Sequence, residues 1–400
     1  MPLPLEGIRV IELANFIAGP FCGMLLADMG ADVVKVEPLG TGEMSRATPP
    51  LINGQSAGFM QMNRNKRSLA LDLKAPEGRE IVLRLAKRSD VLLENFRPGT
   101  MESLGLSADE LRAVNPSLIY CSVSGFGQSG PYRRKAAVNL IVEAVSGLLS
   151  VIGEEGEVPA RPGVQVADML GALFATYSIL ASLVGRERHG QSSQIDLSLL
   201  DAAVAAAVWE TSGYLATGEV PRQIGRRHRV TAPYQLFRTR DGFIAIGGPN
   251  DRLFKRMMAA LGRPEVADEA RFANVAGRKA HDIELGEIVE RLTLERETDE
   301  LLAALDAAGV PCGRVNDYRQ VFEDPQVRAR ELVVEVDHPR AGRHRQVRNP
   351  VLYDRDGPSI RRPAPLLGQH SAEVLRELGY SEADIERLAS EAVIQRAIGP

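Results

Sequence analysis

Residues 7–37 constrain the fold of this chain more than any other segment. Residues 7–13 form a short apolar run typical of a buried strand, residues 21–29 have helical spacing, and residues 32–37 form a second apolar run. A strand, a helix and a second strand in so short a segment predict a βαβ unit and therefore a parallel sheet. Glu37 ends the second strand, where dinucleotide-binding domains place their ribose-binding acid. The first turn lacks G-x-G-x-x-G, however, so an NAD site is only weakly indicated.

Three further apolar runs continue this pattern. The predicted strands are residues 68–73, 91–96 and 118–124, and the predicted helices are residues 76–87 and 138–149. Basic residues surround the first of these strands, a basic turn follows the second, and the glycine-rich segment SGFGQSGPYRRK follows the third. A strand that ends in a basic turn suits an anionic ligand at the carboxyl edge of a sheet, and the glycine-rich loop can bring backbone N–H groups close to a ligand, although most clusters of lysine and arginine are solvated surface.

Asp168 is the residue whose position most suggests chemistry. Apolar residues recur at helical spacing from Leu170 to Val184, and Gly185 is predicted to end this helix. Asp168 precedes the run and is predicted to be its N-cap, where free backbone N–H groups and the helix dipole keep a carboxylate ionised. Spacing alone leaves two interpretations open. One is a structural cap, the more common use of such an aspartate, and the other is a carboxylate nucleophile.

The length and the later part of the chain predict two domains. A chain of 400 residues is too long for one ordinary core. After a basic, loop-like segment at residues 213–230, the hairpin signal Asp241-Gly242 begins a smaller α+β domain. Its predicted helices are residues 252–261, 281–292 and 298–308. Beyond it, the predicted elements are strands at residues 332–336 and 346–352 and two short helices between residues 371 and 394.

Composition and the remaining motifs exclude several classes of protein. The net charge of −4 argues against a general nucleic-acid binder, and no apolar run reaches the length of a membrane span. Cys22, Cys121 and Cys312 form no CxxC, so neither a disulfide framework nor a zinc site is indicated, and a reducing cytoplasm fits. The six histidines form no metal constellation, so no metal is predicted. Ser124 does not lie in the G-x-S-x-G of a serine hydrolase.

Six segments in a fixed order carry a family resemblance. They are LEGIRVIELANFIAGPFCGMLLADMGADVVKVEP, NRNKRSLALDLK, DVLLENFRPG, SGFGQSGP, ADMLGAL and PLLGQHSAEVLRELGY. Together they resemble the class III CoA-transferases, the CaiB/BaiF group that includes formyl-CoA transferase and carnitine CoA-transferase. The resemblance covers essentially the whole chain. Its specificity comes from the order of the segments, because each segment alone is a weak signal.

The resemblance implies an α/β fold in which a large Rossmann-like domain is built from both ends of the chain, accompanied by a smaller α+β domain. It also implies an interlocked homodimer, in which each subunit passes through the central opening of the other. On this basis we predict the large domain at residues 1–215 and 336–400, the small domain at residues 231–320, and linkers at residues 216–230 and 321–335. Each linker then carries the chain from one domain to the other.

The resemblance also implies the site. The family nucleophile is an aspartate in the segment that matches Asp168, which favours the second interpretation of this residue. The residues that match coenzyme A contacts, or whose charge suits its phosphates, are Ile17, Ala18, Leu71, Asp72, Leu73, Lys74, Asn95, Phe96, Arg97 and Lys135. The substrate pocket is expected to include Asn139, Gly247 and Gly248. Acyl-CoA and a small carboxylic acid are the expected substrates, and no permanently bound cofactor, metal, nucleic acid or membrane is expected.

The implied activity is CoA transfer through an aspartyl-CoA thioester, with succinyl-CoA as a candidate donor. Ile17, Pro38 and Ser103 depart from the formyl-CoA transferase pattern, so specificity for formyl and oxalate groups does not follow from the resemblance. α-Methylacyl-CoA racemase belongs to the same superfamily and is the main alternative. Its His-Asp pair is Val138 and Asn139 here, and neither side chain takes a proton from an α-carbon near neutral pH. A catalytically inactive CoA-binding protein is the third alternative.

Overall fold

The computed structural model describes residues 3–354 and 357–397. Its strands are, in chain order, β1 (Arg9–Leu13), β2 (Asp32–Glu37), β3 (Leu51–Ile52), β4 (Gln55–Ser56), β5 (Lys66–Leu71), β6 (Val91–Glu94), β7 (Ile119–Ser124), β8 (Gln194–Ser198), β9 (Tyr234–Arg238), β10 (Phe243–Gly247), β11 (Cys312–Arg314), β12 (Val333–His338), β13 (Gly342–Val347) and β14 (Ile394–Gln395). Its α-helices are α1 (Ala18–Asp28), α2 (Ala57–Asn63), α3 (Pro76–Lys87), α4 (Thr100–Ser103), α5 (Ala108–Val114), α6 (Asn139–Val145), α7 (Val166–His189), α8 (Leu199–Ala206), α9 (Val208–Thr217), α10 (Asp251–Ala260), α11 (Val275–Ala280), α12 (Asp282–Leu294), α13 (Thr298–Ala307), α14 (Tyr318–Glu323), α15 (Pro325–Ala329), α16 (Ser371–Glu377) and α17 (Glu382–Ser390). Short 3₁₀ helices lie at Met44–Ala47, Leu148–Val151 and Pro264–Asp268.

Residue contacts divide the chain into two units, each with a core of its own. The first unit takes in Met1–Leu148, Pro162–Thr217 and Arg328–Pro400, and the second takes in Leu149–Arg161 and Gly218–Val327. Residues 149–161 thus belong to the second unit, although the sequence-based boundaries place them in the large domain. The predicted domain and linker boundaries stay predictions.

Regular structure extends into the segments predicted as linkers. Helix α9 continues to Thr217, and α14 and α15 occupy most of residues 318–329. The prediction that residues 213–230 are loop was wrong for the first of these residues. Gly213 lies inside α9, and a single glycine in a helix costs only about 1 kcal/mol relative to alanine, so it does not end the helix by itself.

The first unit is organised around a seven-stranded sheet with the order β14-β5-β2-β1-β6-β7-β8. All neighbouring strands are parallel except β14, which pairs antiparallel with β5. A mixed α/β architecture with a mainly parallel sheet confirms the predicted fold class at that level. The chain adds β2 and β5 on one side of β1 and later β6, β7 and β8 on the other, so the strand order reverses between β1 and β6. Open parallel sheets bind ligands outside the carboxyl ends of their strands at such a reversal.

Helices cover both faces of this sheet, because its central strands are apolar on both sides. On one face, α3, α5, α16 and α17 bury apolar residues such as Ile81 and Val374. On the other face, α1, α7 and α8 pack together, and α7 contributes small residues such as Ala172. Gly171 allows α7 to approach α8 closely, since a Cβ there would lie 2.2 Å from Cδ2 of Leu199. This packing fixes the axis and the first turn of α7.

Helix α7 differs from the prediction at both ends. It begins at Val166 with Gln165 as the N-cap, so Asp168 is the third residue of the helix and not its cap. It continues through Gly185 and stops at Gly190, whose φ of +70° is the left-handed conformation that ends helices. Gly185 does not end the helix, because the buried face of α7 outweighs the modest cost of one internal glycine.

By length and composition, α7 is the one described helix that meets the requirements of a membrane span, with 24 residues and a mean hydropathy of 1.6 over its most apolar window. The expectation that no apolar run is long enough was therefore wrong. One such helix is weak support for a membrane segment, because the core helix of a soluble protein meets the same requirements. Helix α7 does bury Ala175, Ile179 and Leu183 in the core of the first unit.

The second unit contains a three-stranded antiparallel sheet with the order β11-β10-β9. Strands β9 and β10 form the hairpin predicted from Asp241-Gly242, which is thereby confirmed. Asp241 also fixes the start of α13, since its carboxylate accepts the N–H and the hydroxyl of Thr298. Helices α10, α12 and α13 supply apolar residues to the core, which is built around Phe237 and Phe254.

A second hairpin, formed by β12 and β13, belongs to the first unit. The predicted strand at residues 332–336 is close to β12, but the one predicted at 346–352 starts too late, because β13 begins at Gly342. The turn is closed by His338, whose buried Nδ1 accepts the N–H groups of Arg340 and Ala341. Histidine is not one of the residues that usually indicate a turn, so the sequence did not show that the turn lies here.

Candidate active site

A cleft of about 570 Å³ lies at the carboxyl ends of β1, β6, β7 and β8 in the first unit. This is where the strand order reverses, so its place follows from the topology of the sheet. The predicted site residues that line the cleft are Ile17, Ala18, Asn95, Phe96, Arg97, Lys135, Asn139 and Asp168. The structure therefore brings together the predicted nucleophile, the predicted coenzyme A contacts after β1 and β6, and one predicted pocket residue.

Two asparagines join the loops after β1 and β6 at this reversal. The Asn15 N–H donates to Oδ1 of Asn95 at 2.8 Å, and Nδ2 of Asn95 donates to the Asn15 carbonyl at 2.9 Å. Phe16 follows with a left-handed φ of +61°, and its N–H donates to the buried Glu43 carboxylate at 2.9 Å. Because a bulky residue rarely adopts this conformation, we infer that these hydrogen bonds hold it. The loop thereby presents Ile17 and Ala18 to the cleft.

A group of buried charged side chains lies behind this loop. We call Glu12, Lys35, Glu43 and Lys66 the buried charge cluster. Glu12 joins the two ammonium groups, because its Oε1 is 2.8 Å from Nζ of Lys35 and its Oε2 is 2.7 Å from Nζ of Lys66. Lys35 also donates to the Ala14 carbonyl at 2.6 Å, and Lys66 donates to the Pro20 carbonyl at 2.8 Å. The cluster therefore holds both ends of the loop that lines the cleft.

The two carboxylates and two ammonium groups of the cluster balance in charge, but burying them still has an electrostatic cost. Burial lowers the pKa of Lys66 to about 8, although the Glu12 carboxylate opposes that change. Lys66 gains a further acceptor in Oδ1 of Asn63 at 2.8 Å. Buried charges are tolerated when opposite charges and hydrogen bonds compensate them, and breaking such a set leaves a charge uncompensated.

Other basic residues near β5 also form buried ion pairs. Two nitrogens of Arg64 contact the two carboxylate oxygens of Asp28 at 3.1 and 2.8 Å, and both residues are buried. Arg67 pairs with Asp32 on β2 and with Glu377 on α16. Both arginines are buried in ion pairs, so the interpretation of basic clusters as solvated surface was wrong for them. Their role is to fasten β5 to the elements around it.

The first turn of α7 receives its hydrogen-bond partners from α6. The Val166 N–H donates to Oε1 of Glu143 at 3.0 Å, and the Asp168 N–H donates to Oδ1 of Asn139 at 3.2 Å. Asn139 and Glu143 are four residues apart and therefore lie on one face of α6. Gln165, the N-cap, uses no side-chain hydrogen bond. The helix start is thus capped by side chains from a neighbouring helix.

The Asp168 carboxylate lines the cleft in a half-buried position. Among the residues that the structure describes, none donates a hydrogen bond to this carboxylate. Burial raises its pKa to about 6, and the negative charge of Glu143 acts in the same direction. The expectation that Asp168 is the N-cap and faces free N–H groups of its helix was therefore wrong, because Gln165 is the N-cap and the N–H groups of Val166 and Asp168 donate to Glu143 and Asn139.

Cations border the same cleft. Nζ of Lys135 lies 4.7 Å from the ring centroid of Tyr132 and 5.6 Å from that of Phe126, within the range of cation–π attraction. Arg133 lies 3.5 Å from Glu102, and its Nε has no hydrogen-bond partner in the described part of the chain. Arg97 completes the set. A cleft lined by three cationic side chains and one half-buried carboxylate suits an anionic substrate that reacts with a nucleophile.

Some predicted site residues lie elsewhere. Leu71 is buried in the core, and Oδ1 of Asp72 accepts the Lys74 N–H. Leu73 and Lys74 line a separate hollow of about 380 Å³, because β2 lies between β5 and β1 in the sheet. Gly247 and Gly248 belong to the second unit. Their assignments to coenzyme A or to the substrate pocket stay predictions.

Sequence reasoning missed Glu143, which turns out to be almost fully buried and bonded to the first turn of α7. The available signal was its spacing of four residues from Asn139 in a predicted helix, which places both side chains on one face. That signal does not reveal which segment the face contacts.

The structure describes no group of three or more histidine, cysteine, aspartate or glutamate residues arranged to hold a metal ion. The expectation of no metal stays a prediction.

Comparisons with known proteins agree with this geometry. The model of CoA-transferase family III matches residues 5–371. The succinate–glutarate CoA-transferase of Agrobacterium fabrum is 40% identical over 394 residues, which cover 97% of this chain and 98% of that protein. The succinyl-CoA–D-citramalate CoA-transferase of Chloroflexus aurantiacus is 38% identical over 396 residues, which cover 98% of both chains. A solved CaiB/BaiF family protein from Brucella suis matches with a TM-score of 0.85 at 36% identity, over 94% of this chain and 100% of that chain.

The family match extends over most of the chain, and the two relatives share well over 30% identity across nearly all of it. The resemblance identified from six sequence segments is therefore confirmed. The chain belongs to CoA-transferase family III and is a CoA-transferase.

Proposed function

We propose that the protein transfers coenzyme A from succinyl-CoA to a small dicarboxylic acid, with Asp168 as the covalent nucleophile. The observation that carries this proposal is the half-buried Asp168 carboxylate in a cleft bordered by Arg97, Arg133 and Lys135. The two relatives described above carry succinate or succinyl-CoA in their names, with glutarate or D-citramalate as the second acid. All of these acids have two carboxylates, so when one carboxylate forms the thioester, the second one keeps its negative charge.

The chemistry proceeds in two balanced half-reactions. The Asp168 carboxylate attacks the thioester carbonyl of the donor and the C–S bond breaks. The coenzyme A thiolate is the leaving group, and a mixed anhydride of Asp168 and succinate forms. The thiolate then attacks the aspartyl carbonyl, which releases succinate and gives an aspartyl-CoA thioester. The acceptor carboxylate attacks this thioester, and the same steps in reverse yield the new acyl-CoA and free Asp168. Gly125 and Phe126 line the cleft, and their backbone N–H groups are candidates to stabilise the oxyanion.

The pKa of Asp168 suits this role. A carboxylate with a pKa of about 6 is mostly ionised at neutral pH and is more basic than an ordinary aspartate. Greater basicity accompanies greater nucleophilicity, so the environment that raises the pKa also favours attack on the thioester. Activity should fall as the pH drops below about 6, because protonated Asp168 cannot attack.

Coenzyme A is a substrate here and no permanent cofactor is required. The apolar residues Ile17, Ala18 and Phe96 suit its pantetheine arm, and Arg97 and Lys135 suit its phosphates. Lys74 is a further phosphate partner, on the hollow at the end of β5. Arg133 is the candidate partner of the second carboxylate of a dicarboxylic acyl group, because it lines the cleft and its ion pair with Glu102 is long, at 3.5 Å.

We also propose an interlocked homodimer, with the large domain at residues 1–215 and 336–400 and the small domain at residues 231–320. Exposed apolar residues support an extensive partner contact in the first unit, because monomers rarely expose so many. Tyr177 on α7 is 58% exposed, and Trp209 and Leu215 on α9 are 82% and 81% exposed. Two differently tagged preparations should form no mixed dimers over hours, because separating linked chains requires substantial unfolding. Subunit exchange within minutes would refute the arrangement.

We also propose a cytoplasmic location, which fits the three free thiols.

The decisive experiment measures transfer from succinyl-CoA to a panel of acids that includes glutarate, D-citramalate and the monocarboxylate butyrate. We expect new acyl-CoA with the dicarboxylates and much less with butyrate. Asp168→Asn should reduce transfer by at least about 10³-fold, as removal of a covalent nucleophile does. Mass spectrometry of a digest after mixing with succinyl-CoA should find coenzyme A on the peptide that contains Asp168. An Asp168→Asn variant within a few-fold of the unsubstituted enzyme would rule out the assignment.

Heavy water distinguishes the racemase alternative. With a 2-methylacyl-CoA in D₂O, we expect no significant deuterium uptake at the α-carbon. Val138 is 66% exposed and carries no basic group, and the Asn139 amide is not a base near neutral pH. Rapid uptake of deuterium would replace the transferase proposal by a racemase or epimerase.

A further inference from the structure

We propose that Glu143 is a positioning residue for the nucleophile: it accepts the first N–H of α7 from a neighbouring helix and so keeps the Asp168 carboxylate free of the helix terminus and available to the cleft. This inference rests on the proposed function, because it assumes that Asp168 attacks the thioester. Glu143 is 1% exposed, and it does not line the cleft described above.

The first step of the argument concerns the N–H groups at the start of α7. The early N–H groups of a helix have no partner inside the helix, and a carboxylate in the first turn tends to fold back onto them. An aspartate bound in this way is held by its own helix, and its pKa falls because the hydrogen bonds favour the charged form. Such a carboxylate is a poor nucleophile. In this structure, the Val166 N–H is shared between the Glu143 carboxylate at 3.0 Å and the Val164 carbonyl at 3.1 Å, and the Asp168 N–H donates to Asn139.

The second step concerns what holds Glu143 in place. Glu143 lies on α6, one turn after Asn139, and α6 packs against α7. The hydroxyl of Ser146 donates to the Glu143 backbone carbonyl and helps to end this helix. A buried carboxylate is costly unless it is hydrogen-bonded. Its acceptance of the Val166 N–H at 3.0 Å therefore ties the start of α7 to α6.

The third step concerns charge. Other charged groups on neighbouring elements are Arg97 after β6, Arg133 and Lys135 after β7, Asp196 on β8, Asp201 on α8 and Asp28 at the far end of α1. Among charged groups, Glu143 is the one that raises the pKa of Asp168, in addition to burial. Glu143 thus makes two separable contributions: a hydrogen-bond acceptor that positions α7 and a negative charge close to the nucleophile.

These two contributions are separated by two variants. Glu143→Gln keeps an acceptor oxygen of the same size and removes the charge. Glu143→Leu removes both the acceptor oxygen and the charge, and it places an apolar side chain of similar size in the buried position. Asp384→Asn is the matched control, because Asp384 is a carboxylate that accepts the Ser381 N–H at the start of α17, outside the cleft.

The measurement is the pH dependence of kcat and KM for succinyl-CoA with each variant, after circular dichroism has shown native folding. For Glu143→Gln we expect the acid limb of the pH profile to move to lower pH by at least about half a unit, with KM within twofold. For Glu143→Leu we expect kcat to fall by roughly 10- to 100-fold with little change in KM, because the nucleophile is displaced and substrate contacts are not. The control Asp384→Asn should change neither quantity.

A purely structural role for Glu143 would leave the acid limb of Glu143→Gln where it is in the unsubstituted enzyme, and that result would overturn the inference. Full kcat in folded Glu143→Leu would overturn it as well. Failure of the proposed function is recognised separately, because it appears as transfer activity that survives Asp168→Asn or as deuterium uptake in heavy water.

Discussion

Two groups of charged residues in the first unit follow opposite rules. In the buried charge cluster, Glu12 lies between Lys35 and Lys66, and each ammonium group is within 2.8 Å of a Glu12 oxygen. At the start of α7, Asp168 and Glu143 are both carboxylates, and the charge of one raises the pKa of the other. The first group pairs opposite charges, and the second brings like charges together.

The difference separates what builds the site from what reacts in it. The cluster fixes the loop after β1 through the carbonyls of Ala14 and Pro20, so its charges serve geometry. The carboxylate pair works against the folded state, since each negative charge disfavours the other. Residual strain of this kind is common at functional sites, where a perturbed pKa matches the chemistry. The contrast can be tested by removing one charge from each group.

The largest effect should follow from breaking the buried charge cluster with Lys66→Met. The change leaves Glu12 buried with one of its two partners missing, and loss of one member of a buried ion pair typically costs about 3–5 kcal/mol. Urea unfolding measures the loss. Arg387→Met is the control, because Arg387 forms a pair with Glu391 in which both side chains are about half exposed, and we expect little change there. Equal stability of the two variants would show that the cluster does not hold the fold.

A smaller effect should follow from Gly23→Ala on α1. A Cβ at this position would lie 1.9 Å from Oε2 of Glu12, so Glu12 would have to move away from Lys66. We expect a loss of about 1–3 kcal/mol, typical of overpacking in a core. Gly185→Ala is the matched control in α7, where the new Cβ meets nothing within 4 Å. That variant should gain up to about 1 kcal/mol from helix propensity. A stabilised Gly23→Ala would contradict the close packing around Glu12.

The smallest effect should have the opposite sign. Asp168→Asn removes one charge of the carboxylate pair and should stabilise the protein near neutral pH while abolishing transfer. The folded pKa of about 6 lies above the ordinary value of 3.8, so the folded state binds the proton more tightly. The ionised group therefore reduces stability fully above about pH 6 and not at all below about pH 4. Allowing for solvent screening at a half-buried site, we expect a gain of about 1 kcal/mol at about pH 7.5.

The gain should shrink as the pH is lowered and nearly vanish at about pH 3, where Asp168 is mostly protonated in both the folded and the unfolded state. A destabilised Asp168→Asn variant at neutral pH would show that the carboxylate supports the helix start after all. It would then be the structural cap that spacing alone suggested, and the like-charge interpretation of the pair would fail.

The sequence was sufficient to predict that most strands of the sheet exist and, through the family resemblance, to predict one side of the cleft. The family resemblance implied Ile17, Asn95 and Arg97 as coenzyme A contacts, and the structure brings them into one cleft because β1, β6 and β7 have parallel carboxyl ends at one edge. Leu73 and Lys74 follow a run of the same kind, yet they line a different hollow. Which strands become neighbours is decided by the whole sheet and not by any one segment, so this difference was not predictable.

The electrostatics of the site were predicted least well, because they depend on tertiary contacts. Lys66 was one of the basic residues around a predicted strand, for which a solvated surface was the ordinary interpretation, but Lys66 and Lys35 are both fully buried against Glu12. Asp168 was expected to receive the N–H groups of its own helix, and two side chains of α6 receive them instead. Helical spacing gives the face on which Glu143 lies, and it does not give the partner of that face.

The pairing of β14 with β5 has a consequence for synthesis on the ribosome. Leu71 on β5 pairs with Ile394 on β14, more than 300 residues later in the chain. At a typical 5–20 residues per second, β5 is made roughly 15–60 s before β14, α16 and α17 are available. During that time the nascent sheet has an open edge at β5 and an uncovered apolar face, which are the features that promote aggregation and chaperone binding. We therefore expect translation speed and chaperone supply to limit the yield of soluble protein, independently of the stability of the finished fold.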